Sequence, residues 1–345
     1  MIPEQSLNLS GKVALISGAG VGIGRAVALA LGKAGAIIGL HYYSSADSAH
    51  QLFDELTALD IKAVLLPADL TKESDANAMV DKLVEDTGRL DIVVNNSGGL
   101  VKRATIEDCT LENWNKSLDI NLTSAFLVTK RAIPHLRDTG SGRIVNILSL
   151  SVQTGGANGG GSYAAAKGGL MVFTHTLAKE LAPYVRTNSV MPGTVETQHH
   201  EIHSTPEMME NYRKQTPLGR NTYAQEVASS VHFLASDMSS HINGAMIDIS
   251  GGLFIMENCT SSLNNKLLVA LAILFTAVVL VDAVVAHPKS PMKASLLTVV
   301  LLPSGLIPIT HSRESILTVN LIPKLLLLLP NFLGTPTFPP IPMKN

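Results

Sequence analysis

The sequence predicts an α/β fold, a doubly wound seven-stranded parallel sheet, over residues 1–257. Three observations predict it. Seven short, nearly continuous apolar runs recur along this part of the chain. Helix-length amphipathic stretches separate them, and the first run passes into the first such stretch through a glycine-rich turn. Apolar runs without alternation are strands covered on both faces. Strands alternating with helices make a parallel sheet with right-handed crossovers.

The elements follow in order. Lys12–Gly18 (KVALISG) is the first strand and Ile23–Ala34 the first helix. Ala36–Tyr43 (AIIGLHYY) and Lys62–Leu70 (KAVLLPADL) are the second and third strands, and Asp75–Thr87 is a helix. Asp91–Gly98 (DIVVNNSG), Arg143–Ser149 (RIVNILS), Arg186–Gly193 (RTNSVMPG) and Ala245–Gly252 (AMIDISGG) complete the sheet. Ser162–Gly168 (SYAAAKG) places three alanines between a tyrosine and a lysine. Alanine favours helix, and positions i and i+4 share a helix face, so Tyr163 and Lys167 point the same way. Taken alone, that pair reads as a lysine snorkelling over a surface ring.

The totals bound the function. The chain has 345 residues and a formal net charge of −2, which carries no bulk basic signal for nucleic acid. Two cysteines, Cys109 and Cys259, make no disulfide framework and suit a reducing, cytoplasmic compartment. The first residues, MIPEQSLNLSGK, have no apolar run of the kind a signal peptide needs. Composition breaks near residue 257. Residues 1–257 hold 25 of the 27 glycines and 26 acids against 20 Lys and Arg. Residues 258–345 hold 10 of the 17 prolines, 6 Lys and Arg and 2 acids.

The turn after the first strand reads SGAGVGIGRA and contains Gly18, Gly20, Gly22, Ile23 and Gly24. Glycines there allow a tight turn and the close approach of a pyrophosphate, and the helix N-terminus offers N–H groups to its charge. Strand before and helix after make this a Rossmann-type dinucleotide turn.

The spacing G-x3-G-x-G resembles the short-chain dehydrogenase/reductase family. Asn95–Gly98 (NNSG) is similar to its N-N-A-G, and Asn121 in INL to its mid-helix asparagine. Ser149 at the end of GRIVNILS matches its serine, YAAAK its Tyr-x3-Lys, MPGTVET its P-G stretch and ISGG the end of its last strand. The resemblance covers Leu9 to Phe254, with every motif in order, and is strongest to reductases of the 3-oxoacyl-acyl-carrier-protein type. It implies a carbonyl–alcohol oxidoreductase. Tyr163 is then general acid in reduction and base in oxidation, Lys167 its activator and a ribose contact, Ser149 the substrate holder, and Asn121 the support of a proton-returning water chain. A free phenol titrates at about 10, and a nearby ammonium favours its charged form, so Lys167 is expected to lower Tyr163.

The same resemblance implies cofactor contacts from Gly18, Gly20, Gly22, Ile23 and Gly24, from Tyr42 and Ser44 after the second strand, and from Asp69 and Leu70 after the third. Asn96 and Gly98, Tyr163 and Lys167, and Pro192, Gly193, Val195 and Thr197 complete the set. An acid at the Tyr42 position would hold the 2′-hydroxyl of NAD. None is there, and Ser44 and Ser45 can donate to a phosphate, so NADP(H) is favoured over NAD(H), although Val21 stands where many NADP-dependent relatives carry arginine.

The chain departs from the pattern at Ser17 for threonine, Ser97 for alanine and Leu148 for the first of two serines. Ser149 precedes Tyr163 by 14 positions, one more than the common spacing, and Ser151, the rival, by 12. The glycine-rich SVQTGGANGGGS absorbs the extra residue, and Ser149 is the choice.

Glu196–Leu218 occupies the place of a substrate lid. Its His199, His200 and His203 have no nearby cysteine, so a solvated loop is expected there and no metal. Lys102, Arg103, Lys130 and Arg131 are the residues available to an acyl-carrier partner. A small carbonyl or alcohol substrate and a homo-oligomer, tetramer or dimer, are expected. The alternatives are a sugar or polyol dehydrogenase of the same family and a nucleotide-binding regulator without turnover, against which the complete tetrad speaks. Leu267–Ala286 is long and apolar enough for a membrane segment. Residues 258–345 read as that anchor, as a disordered apolar tail or, preferred, as a fusion or gene-model artefact.

Overall fold

The computed structural model describes residues 6–156, 159–197, 204–254, 297–302 and 305–310. The chain divides into two compact units, Met1–Glu257 and Asn258–Asn345. In the second, β10 (Leu297–Leu302) and β11 (Gly305–Thr310) form an antiparallel hairpin. The expected apolar segment 267–286 lies outside the described residues, among which no helix is long and apolar enough to cross a membrane.

The first unit alternates as the apolar runs require. Its elements are β1 (Val13–Ile16), α1 (Gly22–Lys33), β2 (Ile37–Tyr42), α2 (Ala46–Ala58), β3 (Ala63–Pro67), α3 (Glu73–Thr87) and β4 (Ile92–Asn95). Then come α4 (Leu111–Leu118), a π-helical turn (Asp119–Thr123), α5 (Ser124–Asp138), β5 (Gly142–Ile147), α6 (Ser151–Thr154) and α7 (Gly161–Glu180). The unit ends with β6 (Val185–Pro192), β7 (Val195–Glu196), α8 (Pro206–Gln215), β8 (Thr222–Tyr223), α9 (Ala224–Ala235) and β9 (Met246–Ile249).

Seven strands pair in the order β3-β2-β1-β4-β5-β6-β9, every pair parallel. Successive side chains of a strand face opposite layers. Ala14 and Ile16 of β1 join one buried cluster with α1, α2 and α9, while Val13 and Leu15 join another with α3, α5 and α7. Ile92 and Val94 against Val93, and Val145 and Ile147 against Ile144, repeat that division. Each such side chain contributes about 1.5–3 kcal/mol on burial, which is why these strands carry no polar alternation. Strand order reverses between β1 and β4. In a parallel sheet the crevice beyond the strand C-termini at that reversal is where ligands bind.

The lid segment departs from the expected loop. Residues 206–215 form α8, started by Thr205, whose side chain accepts from the Met208 N–H at 3.3 Å, with Pro206 in the first turn. Thr-Pro-Glu is a helix-start signal that outweighs the segment's polarity. His199, His200 and His203 lie outside the described residues.

Candidate active site

The glycine turn is shaped by backbone approach. A Cβ on Gly24 would lie 2.2 Å from the Gly18 carbonyl oxygen and 2.6 Å from Asn96 Nδ2. Asn96 is why the turn is this tight. Its Nδ2 donates to the carbonyls of Ser17 (2.9 Å) and Gly18 (3.0 Å), and the Ser17 hydroxyl accepts the N–H groups of Asn96 and Ser97, both at 2.9 Å. Ser17 therefore does its work through the hydroxyl that threonine would also supply. Gly20 lies against Ser45, and Gly22 and Ile23 open α1. The N-cap Val21 makes no side-chain cap hydrogen bond to the N–H groups there. Uncapped N–H groups at a helix start, beside glycines that admit close approach, fit the pyrophosphate of a dinucleotide.

The remaining expected cofactor residues sit around this turn. Thr197, just after Val195 of β7, reaches Gly22: its methyl is 3.4 Å from where a Gly22 Cβ would be. Pro192 ends β6, and Gly193 donates its N–H to Ile249 O at 3.1 Å. Tyr42 ends β2 and packs edge-on to His50, with Ser44 exposed beyond it. Asp69 accepts from the Thr71 hydroxyl (2.7 Å) and N–H (3.1 Å) and pairs with Lys72. The Thr71 hydroxyl foremost holds the Asp69 carboxyl below its usual range. Leu70 beside it is buried.

Gly98 has φ +137°, and a Cβ there would lie 2.3 Å from Asn121 Oδ1. Only glycine suits that conformation. Asn121 is fully buried in the π-helical turn. Its Oδ1 accepts from Gly99 N–H (2.9 Å), and its Nδ2 donates to the carbonyls of Gly99 (3.0 Å) and Ser117 (2.9 Å). The side chain thus replaces bonds that a π turn removes from the α-helical ladder. The turn packs against α7, the helix that carries Tyr163 and Lys167.

On α7 the tyrosine and lysine share a face: Lys167 Nζ is 5.9 Å from the Tyr163 ring centroid. Lys167 is 3 % exposed and donates to Ile147 O at 2.8 Å. Burial pushes its ammonium down to about 8. The Ser149 hydroxyl acts on the Tyr163 phenol and favours its charged form. Ser149 Oγ also accepts the Ser151 N–H at 3.2 Å, whereas the Ser151 hydroxyl is buried and makes no hydrogen bond among the described residues. The expectation that Lys167 lowers Tyr163 is corrected here. Burial raises the phenol above its ordinary value, and it is the Ser149 hydroxyl that draws it back. The ammonium lies beside the ring and donates to a strand carbonyl, so desolvation prevails.

Residues outside the sequence expectation hold this arrangement. Asn95 Nδ2 donates to Thr129 Oγ1 (3.0 Å) and Asn146 Oδ1 (2.8 Å), and Asn146 Nδ2 donates to Thr174 Oγ1 (2.8 Å). All four are buried, and they tie α5 and α7 to the strands that lead to Asn96 and Ser149. Their signal was an asparagine inside an apolar run, since a buried amide requires partners. Among the cations set aside for an acyl-carrier partner, Lys130 pairs with Glu73 at 2.8 Å and Arg131 with Asp81 at 2.6 Å.

Comparison with known proteins agrees with this geometry. The profile of the family described as enoyl-(acyl carrier protein) reductase matches residues 18–254. The 3-oxoacyl-[acyl-carrier-protein] reductase of Aquifex aeolicus is 36% identical over 250 residues, 72% of this chain and 99% of that protein. Glucose 1-dehydrogenase 2 of Bacillus subtilis is 32% identical over 248 residues, 71% of this chain and 96% of that one. The solved structure of a 7α-hydroxysteroid dehydrogenase complexed with NADH and 7-oxo glycochenodeoxycholic acid superposes with a TM-score of 0.69 at 29% identity, over 73% of this chain and 98% of that one.

Proposed function

Because the chain belongs to the short-chain dehydrogenase/reductase family, whose members are oxidoreductases acting on CH–OH groups, we propose that it interconverts a ketone and a secondary alcohol, with a 3-oxoacyl thioester as the substrate class. The observation that carries the reading is Lys167 beside the Tyr163 ring on one helix face, with the Ser149 hydroxyl acting on the phenol. A bound nicotinamide supplies or accepts the hydride at the substrate carbon. In reduction, the Tyr163 phenol gives its proton to the carbonyl oxygen while the Ser149 hydroxyl donates a hydrogen bond to that same oxygen. Lys167 holds positive charge beside the phenolate that forms, and Asn121 keeps the π turn in place for the proton's return. Oxidation runs the same transfers backwards, with Tyr163 as base.

NADP(H) is the proposed cofactor, ahead of NAD(H). No carboxylate stands at Tyr42 to repel a 2′-phosphate, and Ser44 is exposed beside it. The sugar or polyol reading keeps support from the glucose dehydrogenase relative. A homo-oligomer built on α5 and α7 is proposed as well, because Phe126 (43 %) and Val172 (58 %) are large apolar side chains left exposed on those helices. Catalysis is assigned to residues 1–257, with a cytoplasmic location for that unit. Residues 258–345 are taken as a fusion or gene-model artefact without a part in turnover.

The test is consumption of NADPH and NADH by the full chain over a panel of 3-oxoacyl thioesters and simple ketones, with reduction of NADP⁺ and NAD⁺ by glucose followed alongside. Turnover with at least one oxo substrate is expected, and Tyr163→Phe should lower kcat by about 10²–10⁴, the usual contribution of a general acid. Turnover with no substrate, or unchanged turnover in Tyr163→Phe, overturns the reading.

A further inference from the structure

His41 is a buried titratable group that the mechanism above does not use. It is the penultimate residue of β2 and is 3 % exposed. Gly18 N–H donates to its Nδ1 at 2.9 Å, and its Nε2 stands 3.1 Å from Ala68 O. A backbone N–H can only donate and a carbonyl can only accept. The hydrogen of the ring is therefore on Nε2, and the imidazole is neutral. A second ring proton would set N–H against the Gly18 N–H. The backbone carbonyl of His41 also accepts the Ala19 N–H at 2.8 Å, so one residue holds two successive amides of the glycine turn.

The two ends of this link have a common destination. Gly18 and Ala19 begin the turn that shapes the pyrophosphate place, and Ala68 immediately precedes Asp69 and Leu70, two of the residues assigned to the cofactor. We propose that His41 is a positioning residue that locks the turns after β1 and β3 into one dinucleotide-binding unit, and that cofactor affinity depends on its two ring hydrogen bonds. This rests on the cofactor site assigned above.

Burial pushes the imidazole down to about 4, so it stays neutral through the physiological range. Four charged or titratable groups on the surrounding elements have other partners. Asp69 is held by Thr71 and Lys72 after β3, His50 of α2 lies against Tyr42, and Arg25 of α1 pairs with Glu55 of α2.

Three variants of the full chain separate the contacts, read by calorimetric titration with NADP⁺ and by steady-state kinetics. His41→Leu removes both bonds. His41→Asn keeps an acceptor near the Nδ1 position, and His41→Gln keeps a donor near the Nε2 position. The expected result is a dissociation constant for NADP⁺ raised about tenfold in His41→Leu, two lost hydrogen bonds' worth, with kcat at saturating cofactor within about twofold of wild type. His41→Asn and His41→Gln should each recover part of the affinity. The neutral imidazole has its own readout. Its folded value lies below the unfolded one, so stability is lost as pH falls from 6.5 towards 4. The unfolding constant of wild type should rise roughly 50-fold relative to His41→Asn between pH 7 and 4.5. Unchanged NADP⁺ affinity in His41→Leu, or in both amide variants should His41→Leu not fold, overturns the positioning role alone. Wild-type protein that binds neither nucleotide overturns this role and the cofactor site together.

Discussion

Replacing Ser149 by alanine is the sharpest probe of the site, because the neighbouring Ser151 supplies a matched control two residues away. The Ser149 hydroxyl acts on the Tyr163 phenol and is the group proposed to donate to the substrate oxygen. Removing one such donor from a preorganised site costs about 10²–10³ in kcat, about 2.7–4 kcal/mol. The Ser151 hydroxyl makes no hydrogen bond among the described residues, and its backbone N–H, which Ser149 Oγ accepts, survives in Ser151→Ala. Ser151→Ala should therefore keep kcat within about threefold, the scale of a substitution that removes no interaction. A second consequence concerns pH. Burial already raises the Tyr163 phenol, and the Ser149 hydroxyl opposes that rise. In Ser149→Ala the phenol moves further up. In the oxidation direction, where the phenolate is the base, the rising limb of the kcat–pH profile must then shift to higher pH. Steady-state kcat from neutral to alkaline pH, with thermal midpoints to verify folding, decides it. Turnover kept in Ser149→Ala but lost in Ser151→Ala, or a limb that moves to lower pH, refutes the reasoning.

Two further predictions follow from burial and packing. Gly24→Ala puts a Cβ against the Gly18 carbonyl, which is backbone, and against the Asn96 side-chain amide, which two hydrogen bonds hold in place. Overpacking of this kind costs about 1–3 kcal/mol, so both the thermal midpoint and NADP⁺ affinity should fall; wild-type affinity by calorimetry would count against the tight turn. Lys167→Met should abolish turnover yet stabilise the fold. Its ammonium is held down to about 8 against 10.5, a burial cost of about 3 kcal/mol offset by roughly 1 kcal/mol from the bond to Ile147 O. The unfolded lysine binds the proton more tightly than the folded one, so wild-type stability rises as pH climbs from 8 to 10.5. The advantage of Lys167→Met in chemical denaturation should be about 2 kcal/mol at pH 7 by those figures and shrink towards pH 10.5; a destabilised variant at pH 7 would contradict it.

Much of this site is legible in one dimension because its spacing is local. Gly18, Gly22 and Gly24 mark a turn and Tyr163 and Lys167 a helix face, and both depend only on backbone periodicity. Ser149 was harder, since one extra residue in a glycine-rich loop leaves two hydroxyls as rivals. The influence of Ser149 on Tyr163 separates them, and it links a strand end to a helix residue 14 positions away. Asn146, Thr174 and His41 are not legible, because each sits in a run or helix that reads as plain core. A buried polar side chain announces that it has a partner, without saying which one. The helix at 206–215 was legible in Thr205 and Pro206 and was masked by the polarity around them.

The sequence by itself determined the order of strands and helices, the family, the cofactor turn and the Tyr163–Lys167 pair, because these follow from short-range periodicity and from the steric freedom of glycine. Only the tertiary structure decided which serine meets the phenol, that burial rather than the ammonium dominates its proton affinity, and that His41 spans two turns. Those are effects of desolvation and of contacts between residues 14 to 27 apart in the chain, and no local pattern encodes either.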